Sequence, residues 1–153
     1  MSNEYELHTQ PSFIISRIGA LHIHIRKECA KFFRQMSFPV EMDQIPVLAL
    51  LYYADGLSQQ QICSSLLRDK ASVARTVSFF SKKDIVKVVQ DATDKRKTRV
   101  DLTAKGKELA RKADAVIRNF EGMLTSKLTE KETIQFNTTI NKLIGTTSTQ
   151  NLP

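Results

Sequence analysis

The sequence predicts a mainly α-helical chain with one small β-hairpin. Three observations predict it. Apolar residues recur at three- and four-residue steps along much of the chain, the period of a helix with one buried face. Two short runs rich in β-branched residues, Val86–Gln90 and Thr98–Leu102, flank a polar, basic stretch. With only five Gly and four Pro in 153 residues and a hydrophobic fraction of 41%, the composition is globular rather than collagen-like or low-complexity. Such a length suits a single domain, residues 1–153, whose core needs neither disulfides nor metal.

The first period runs through Ile14, Ile18, Leu21, Ile25, Cys29, Phe32 and Met36, one face of a helix about 25 residues long. Pro11-Ser12 precedes it and Ser37-Phe38-Pro39 ends it. A face this long is hard to bury within a small monomer. A second helix covers about 42–54, with Val47, Leu48, Leu50 and Leu51 apolar. Pro46 falls inside it and removes a backbone donor, so either the helix kinks or it starts later. Ser58 and Gln61 have the spacing of a capping box and open a short helix to about Leu66. Asp69 is the natural cap of the next helix, about 70–83. Two short helices joined this closely suggest a helix-turn-helix.

The two β-branched runs then form a hairpin whose loop is Asp91-Ala92-Thr93-Asp94-Lys95-Arg96-Lys97. Thr103 caps a long helix to about Leu124, with a face of Leu109, Ala113, Val116, Ile117, Phe120 and Leu124. Thr129 and Glu132 make another capping box. It opens a last helix with Ile140, Leu143 and Ile144 on one face, ending at Gly145. Residues 146–153 are expected to be a frayed tail.

Charge is concentrated where the short elements lie. The net charge is +7, yet residues 68–99, about a fifth of the chain, hold ten Lys and Arg against four Asp and Glu. A local excess of this kind suits a polyanion. On the helix at 70–83, Val73, Val77 and Phe80 share the core face. Ala71, Ser72, Arg75, Phe79 and Lys82 lie opposite, with Ser78 beside them. Ser72 can donate to a phosphate at the helix N-terminus, Arg75 can fork onto a guanine edge or a phosphate, and Lys82 suits a phosphate. Phe79 can touch a thymine methyl or pack sideways against a neighbouring element, and packing is favoured. Lys95, Arg96 and Lys97 form a basic loop tip able to enter a narrow minor groove, with Asp94 positioned to orient the Arg96 guanidinium. Helix-turn-helix, strand, basic loop and strand, in that order, describe a winged helix-turn-helix.

At these residues the sequence resembles the MarR family of bacterial transcriptional regulators. The resemblance is carried by Asp69-Lys70-Ala71-Ser72-Val73, by Asp94-Lys95-Arg96, and by Leu102-Thr103-Ala104-Lys105-Gly106. Gln44 with Val47-Leu48 resembles the family's second helix. The likeness extends over about residues 12–145. It implies a winged helix-turn-helix at 41–102, flanked by long dimerisation helices at 12–37 and 104–145. It also implies a homodimer on a pseudo-palindromic operator and a small-molecule effector of unknown identity. Ser72, Arg75 and Thr76 would meet the major groove or its phosphates, although Thr76 lies near the core edge of the helical wheel. Arg96 would enter the minor groove. Two departures stand out. Asp84 replaces the glycine that suits a left-handed turn, and Phe79 replaces a basic residue.

Other chemistries find little support in the residues. Cys29 sits on an apolar stripe and Cys63 follows Ile62, so both read as small buried residues, and free thiols fit a reducing cytoplasm. His22 and His24 point apart on a helix and make no metal set. Neither a nucleophile–base pair nor a phosphate loop is present at motif spacing, so no enzyme, catalytic residue or cofactor is expected. No apolar run approaches 18 residues, so no membrane span is expected, and the polar, acidic start does not read as a signal peptide. Tyr52, Tyr53 and His22 are loose candidates for lining an effector pocket. The alternative function is a winged-helix interaction module whose basic face meets an acidic protein partner.

Overall fold

The computed structural model describes residues 13–91, 94 and 96–149. Its helices are α1 (Ile14–Gln35), α2 (Ile45–Tyr53), α3 (Gln59–Leu66), α4 (Lys70–Lys82), α5 (Ala104–Leu124) and α6 (Glu130–Thr149). The strands β1 (Val86–Gln90) and β2 (Thr98–Leu102) pair antiparallel, Val86 opposite Leu102 and Gln90 opposite Thr98. Leu57 adds a single bridge to the hairpin, its carbonyl accepting from the Val100 N–H at 2.8 Å. Pro46 stands in the first turn of α2, so the helix begins later rather than kinking.

The described residues form two compact units, the first ending at Val116 and the second starting at Ile117. In the first, α2, α3, α4 and the hairpin contact one another. Leu48, Leu51, Ile62, Val73, Phe80 and Val100 are fully buried among them. Each such side chain contributes about 1.5–3 kcal/mol of burial. The apolar stripe of α1 divides. Cys29 is buried and Ile25 and Phe32 are half-buried, whereas Ile14, Ile18, Leu21 and Met36 are exposed, and the buried aromatic is Phe33, which was not placed on that stripe. In the second unit, Thr129 and Glu132 exchange the two bonds of a capping box, at 2.8 and 3.3 Å. There Ile134, Phe136, Leu143 and Ile144 are exposed.

One boundary needs correcting. α6 does not stop at Gly145 but continues to Thr149, so the expected frayed tail is helical in its first four residues. Glycine inside a helix costs only about 1 kcal/mol, and no neighbouring atom lies within 4 Å of where a Gly145 Cβ would be. Residues 150–153 lie outside the described residues.

Three helices end in the same way, and none uses glycine. After α1, α3 and α4 the chain turns through Ser37, Leu67 and Asp84, with φ of 50°, 51° and 57°. In each case the next N–H reaches back to a carbonyl in the last helical turn. Phe38 bonds Phe33, Arg68 bonds Cys63 and Ile85 bonds Phe80, at 3.1, 3.0 and 2.8 Å. This is the Schellman arrangement, which satisfies carbonyls the helix leaves orphaned. The left-handed conformation expected at Asp84 is therefore one of three.

Candidate nucleic-acid interface

The outward face of α4 is defined by how the helix is held at both ends. At its start the Asp69 carboxylate accepts the Ser72 N–H at 2.8 Å. The turn before it is tied down by Arg68, whose guanidinium donates to the Asp43 carbonyl at 2.6 Å. At its end the left-handed turn at Asp84 redirects the chain into β1. The segment Leu102-Thr103-Ala104-Lys105-Gly106 locks that turn. The Thr103 N–H donates to the Ile85 carbonyl at 3.0 Å. The Thr103 hydroxyl reaches the Asp84 and Ile85 carbonyls, at 2.7 and 3.1 Å, and accepts the Gly106 N–H at 3.0 Å. The Lys105 ammonium donates to the Lys83 carbonyl at 2.7 Å. A Cβ on Gly106 would stand 1.9 Å from the Ile85 carbonyl oxygen, so only glycine allows this approach. The motif thus fastens the start of α5 to the end of α4.

Held this way, α4 buries Val73, Thr76, Val77 and Phe80. Ala71, Arg75, Ser78 and Lys82 are exposed, and Ser72 and Phe79 are half-buried. Ala74, Arg75, Ser78, Phe79 and Lys82 line an open depression of about 450 Å³ on this face. Thr76 is a correction. It is only 5% exposed, and its hydroxyl donates to the Ser72 carbonyl at 3.1 Å. At 100° per residue Thr76 follows Val73 and Val77 onto the core side, and its one hydrogen is spent within the helix. The Phe79 ring centroid lies 6.2 Å from that of Phe80, the next residue on the same helix, and 6.0 Å from the Lys83 ammonium.

The seven-residue loop between the strands is organised by its carboxylates. Asp94 donates its N–H to the Asp91 carboxylate at 3.0 Å and accepts the Arg96 N–H at 3.0 Å. Its second oxygen lies 3.6 Å from the Lys97 ammonium. Asp94 was expected to orient the Arg96 guanidinium. It instead holds the Arg96 backbone and pairs with Lys97. The physical reason is local, since an aspartate side chain is short enough to close a turn on its own backbone two residues on. The Arg96 and Lys97 side chains are exposed, and Lys95 lies outside the described residues. At the hairpin base, Asp55 accepts the Leu102 N–H at 3.1 Å and faces Lys107 at 3.4 Å.

Three further exposed cations of this region, Lys70, Lys83 and Lys87, were not among the residues expected at the interface. Lys70 carries a readable signal. A cation in the first turn opposes the helix dipole, so it does little for the stability of α4. The remaining candidates behave differently. Burial pushes the Cys29 thiol up, which makes it a poor nucleophile. Cys63 was expected to be buried and is half-buried. Tyr52 and Tyr53 meet edge-on at 5.2 Å, and the Tyr53 hydroxyl donates to Asp114, while His22 is exposed. Among the described residues, no group of His, Cys, Asp and Glu is arranged to hold a metal ion, and no helix is long and apolar enough to cross a membrane.

Comparison with known proteins bears on the same region. The sequence model of the MarR family matches residues 40–98. Among curated proteins no sequence matches the chain. Solved structures match over most of its length. A MarR/EmrR family transcriptional regulator from Acinetobacter sp. ADP1 is similar with a TM-score of 0.79 and 26% identity, over 89% of this chain and 95% of that one. A MarR transcriptional regulator from Methanosarcina mazei Go1 gives 0.78 and 24%, over 89% and 96%. MepR of Staphylococcus aureus, in a complex with DNA, gives 0.77 and 22%, over 89% and 99%. The matched residues run from just before α2, through the capped α4, to the first residue of β2. The MarR family model thus matches the winged helix-turn-helix region of this chain, residues 40–98, and the solved structures share its fold.

Proposed function

We propose that the protein is a sequence-specific DNA-binding transcriptional regulator rather than an enzyme. It acts in the cytoplasm as a homodimer on a pseudo-palindromic operator and is modulated by a small molecule. One observation carries the reading. A helix braced at both ends leaves a face of small, polar and cationic side chains open, and an exposed basic hairpin tip follows it. Ser72, Arg75 and Lys82 would meet the major groove or its phosphates, joined by Lys70 at the helix start. Arg96 would enter the minor groove, with Lys95 and Lys97 on its phosphates. Asp94 would serve by shaping the loop rather than by touching DNA. The MepR–DNA complex among the similar structures supports the same partner.

The homodimer is supported by α1. Its first half exposes Ile14, Ile15, Ile18 and Ile23 at 64%, 84%, 49% and 67%. Of the exposed residues, Ile14 and Ile18 share one face of the helix with Leu21, itself 41% exposed, and an exposed apolar face of this kind suits an interaction site. We assign dimerisation to residues 12–37 and 104–145. The effector rests on the family resemblance alone, and release of DNA by a bound small molecule would test it.

The test is a fluorescence-anisotropy titration of DNA flanking the protein's own gene, with a scrambled duplex as control, at two salt concentrations. Preference of at least about a hundredfold for the native fragment is expected. The logarithm of affinity should fall by about 0.9 per phosphate neutralised as salt rises. Arg96→Ala should weaken binding by roughly 1–3 kcal/mol. Equal, salt-sensitive binding to both duplexes would overturn sequence specificity. It would leave the basic face to an acidic protein partner.

A further inference from the structure

Phe79 occupies the position on α4 where a DNA-reading helix would be expected to carry charge or polarity. With Ser72, Arg75 and Lys82 it forms a stripe along one side of the helix at steps of three and four residues. Its neighbour Phe80 is 0% exposed and already fills the core at this level. The Phe79 ring is therefore surplus to that core. It remains half-buried, its inner side against Phe80, and it forms part of the open depression lined by Ala74, Arg75, Ser78 and Lys82. It is the one aromatic side chain in a lining otherwise small, polar or cationic.

The chemistry of the major groove offers one partner for such a ring. Guanine, cytosine and adenine present hydrogen-bonding atoms there, whereas thymine adds an apolar C5-methyl group. Arg75 and Lys82 lie about one helical turn to either side of Phe79 and suit the phosphates and guanine edges around such a contact. The Lys83 ammonium, 6.0 Å from the ring centroid, adds positive charge beside it. We propose that Phe79 is a specificity-determining residue that reads a thymine methyl group, so that each operator half-site carries a required thymine at the position facing it. This inference rests on the DNA-binding reading above. It concerns which base is read and not whether DNA is bound.

The experiment selects duplexes from a random-sequence library with the full-length wild-type protein. Each thymine of the enriched sequence is then replaced by deoxyuridine, which removes only the methyl group. One thymine per half-site should be sensitive, with affinity falling roughly fourfold for each methyl removed, the value of one buried apolar carbon. F79A should bind the thymine and uracil duplexes equally, whereas F79L, still apolar, should retain part of the discrimination. Melting curves of both variants check that the fold persists. Should F79A fail to fold, the uracil scan of the wild type and its comparison with F79L still decide the matter. Tolerance of uracil at every position, or undiminished methyl discrimination in folded F79A, would overturn the role of Phe79 while leaving sequence-specific binding intact. Enrichment of no sequence at all would instead overturn the DNA-binding reading, and this inference with it.

Discussion

The winged region and the first half of α1 treat apolar residues in opposite ways. In α2, α3, α4 and the hairpin, the large aliphatic and aromatic side chains of the core are 0–4% exposed. In α1, the five large apolar residues from Ile14 to Ile23 are 41–84% exposed. Both stretches are helical, and both are apolar enough to gain from burial. The difference lies in what the chain supplies to cover them. The winged region closes on itself, because short helices and a hairpin can enclose one small core. Among the described residues the start of α1 is not enclosed in this way, and its apolar side chains stay exposed. An exposed helix retains its shape through backbone hydrogen bonds, but most helical stability in proteins comes from packing an apolar face.

The most severe way to break the comparison is Phe80→Ala. Truncating this fully buried ring should cost about 3–5 kcal/mol in urea unfolding. Ile15→Ala, at an 84% exposed position, should cost under about 0.5 kcal/mol at high dilution. Its cost should grow with protein concentration if α1 meets a partner copy. Equal costs for the two at every concentration would erase the distinction. Gly106→Ala should come next, at about 1–3 kcal/mol, because the added methyl meets the Ile85 backbone, which cannot swing aside as a side chain could. A melting temperature unchanged by this substitution would show that α5 is not fastened to the end of α4.

Smaller effects sharpen the picture at the helix ends. Leu67→Gly and Asp84→Gly should each stabilise by about 0.5–1 kcal/mol, since the left-handed conformation costs side-chain-bearing residues more than glycine. Leu67 is 94% exposed, so little packing is lost in return. Destabilisation by Leu67→Gly would mean that its side chain has a structural role. The smallest effect concerns acid. Bonds from the Thr129 backbone and hydroxyl hold the Glu132 carboxyl below its ordinary value of 4.5. A depressed folded pKa stabilises fully above the unfolded value, and that contribution is lost as pH falls through the folded one. The protection of the N–H groups at the start of α6, relative to their intrinsic exchange at the same pH, should therefore fall below about pH 4.5. Glu132→Gln should remove that dependence while keeping the cap.

The local features of the interface were legible in the sequence. The caps at Ser58, Asp69 and Thr129, both strands and the core face of α4 follow from spacing and side-chain chemistry within a few residues. Thr76 and Asp94 were legible only in part. A helical wheel puts Thr76 at the core edge, but whether its hydroxyl faces out depends on how closely α4 meets its neighbours. Asp94 had several donors within reach, and the folded loop made the choice among them. The LT-x-x-G segment was visible as a pattern without a reason. Its reason is contact with the end of α4, some twenty residues earlier in the chain.

What the sequence determined by itself was the order of elements, their periods, most of their ends and the site of the positive charge. Those properties depend on residues a few positions apart, where backbone geometry leaves few options. What only the tertiary structure decided was which parts of a periodic apolar face are covered, which carboxylate meets which donor, and why one glycine has no substitute. These depend on distances between residues far apart in the chain. Periodicity states that a face is apolar, and only packing states what lies against it.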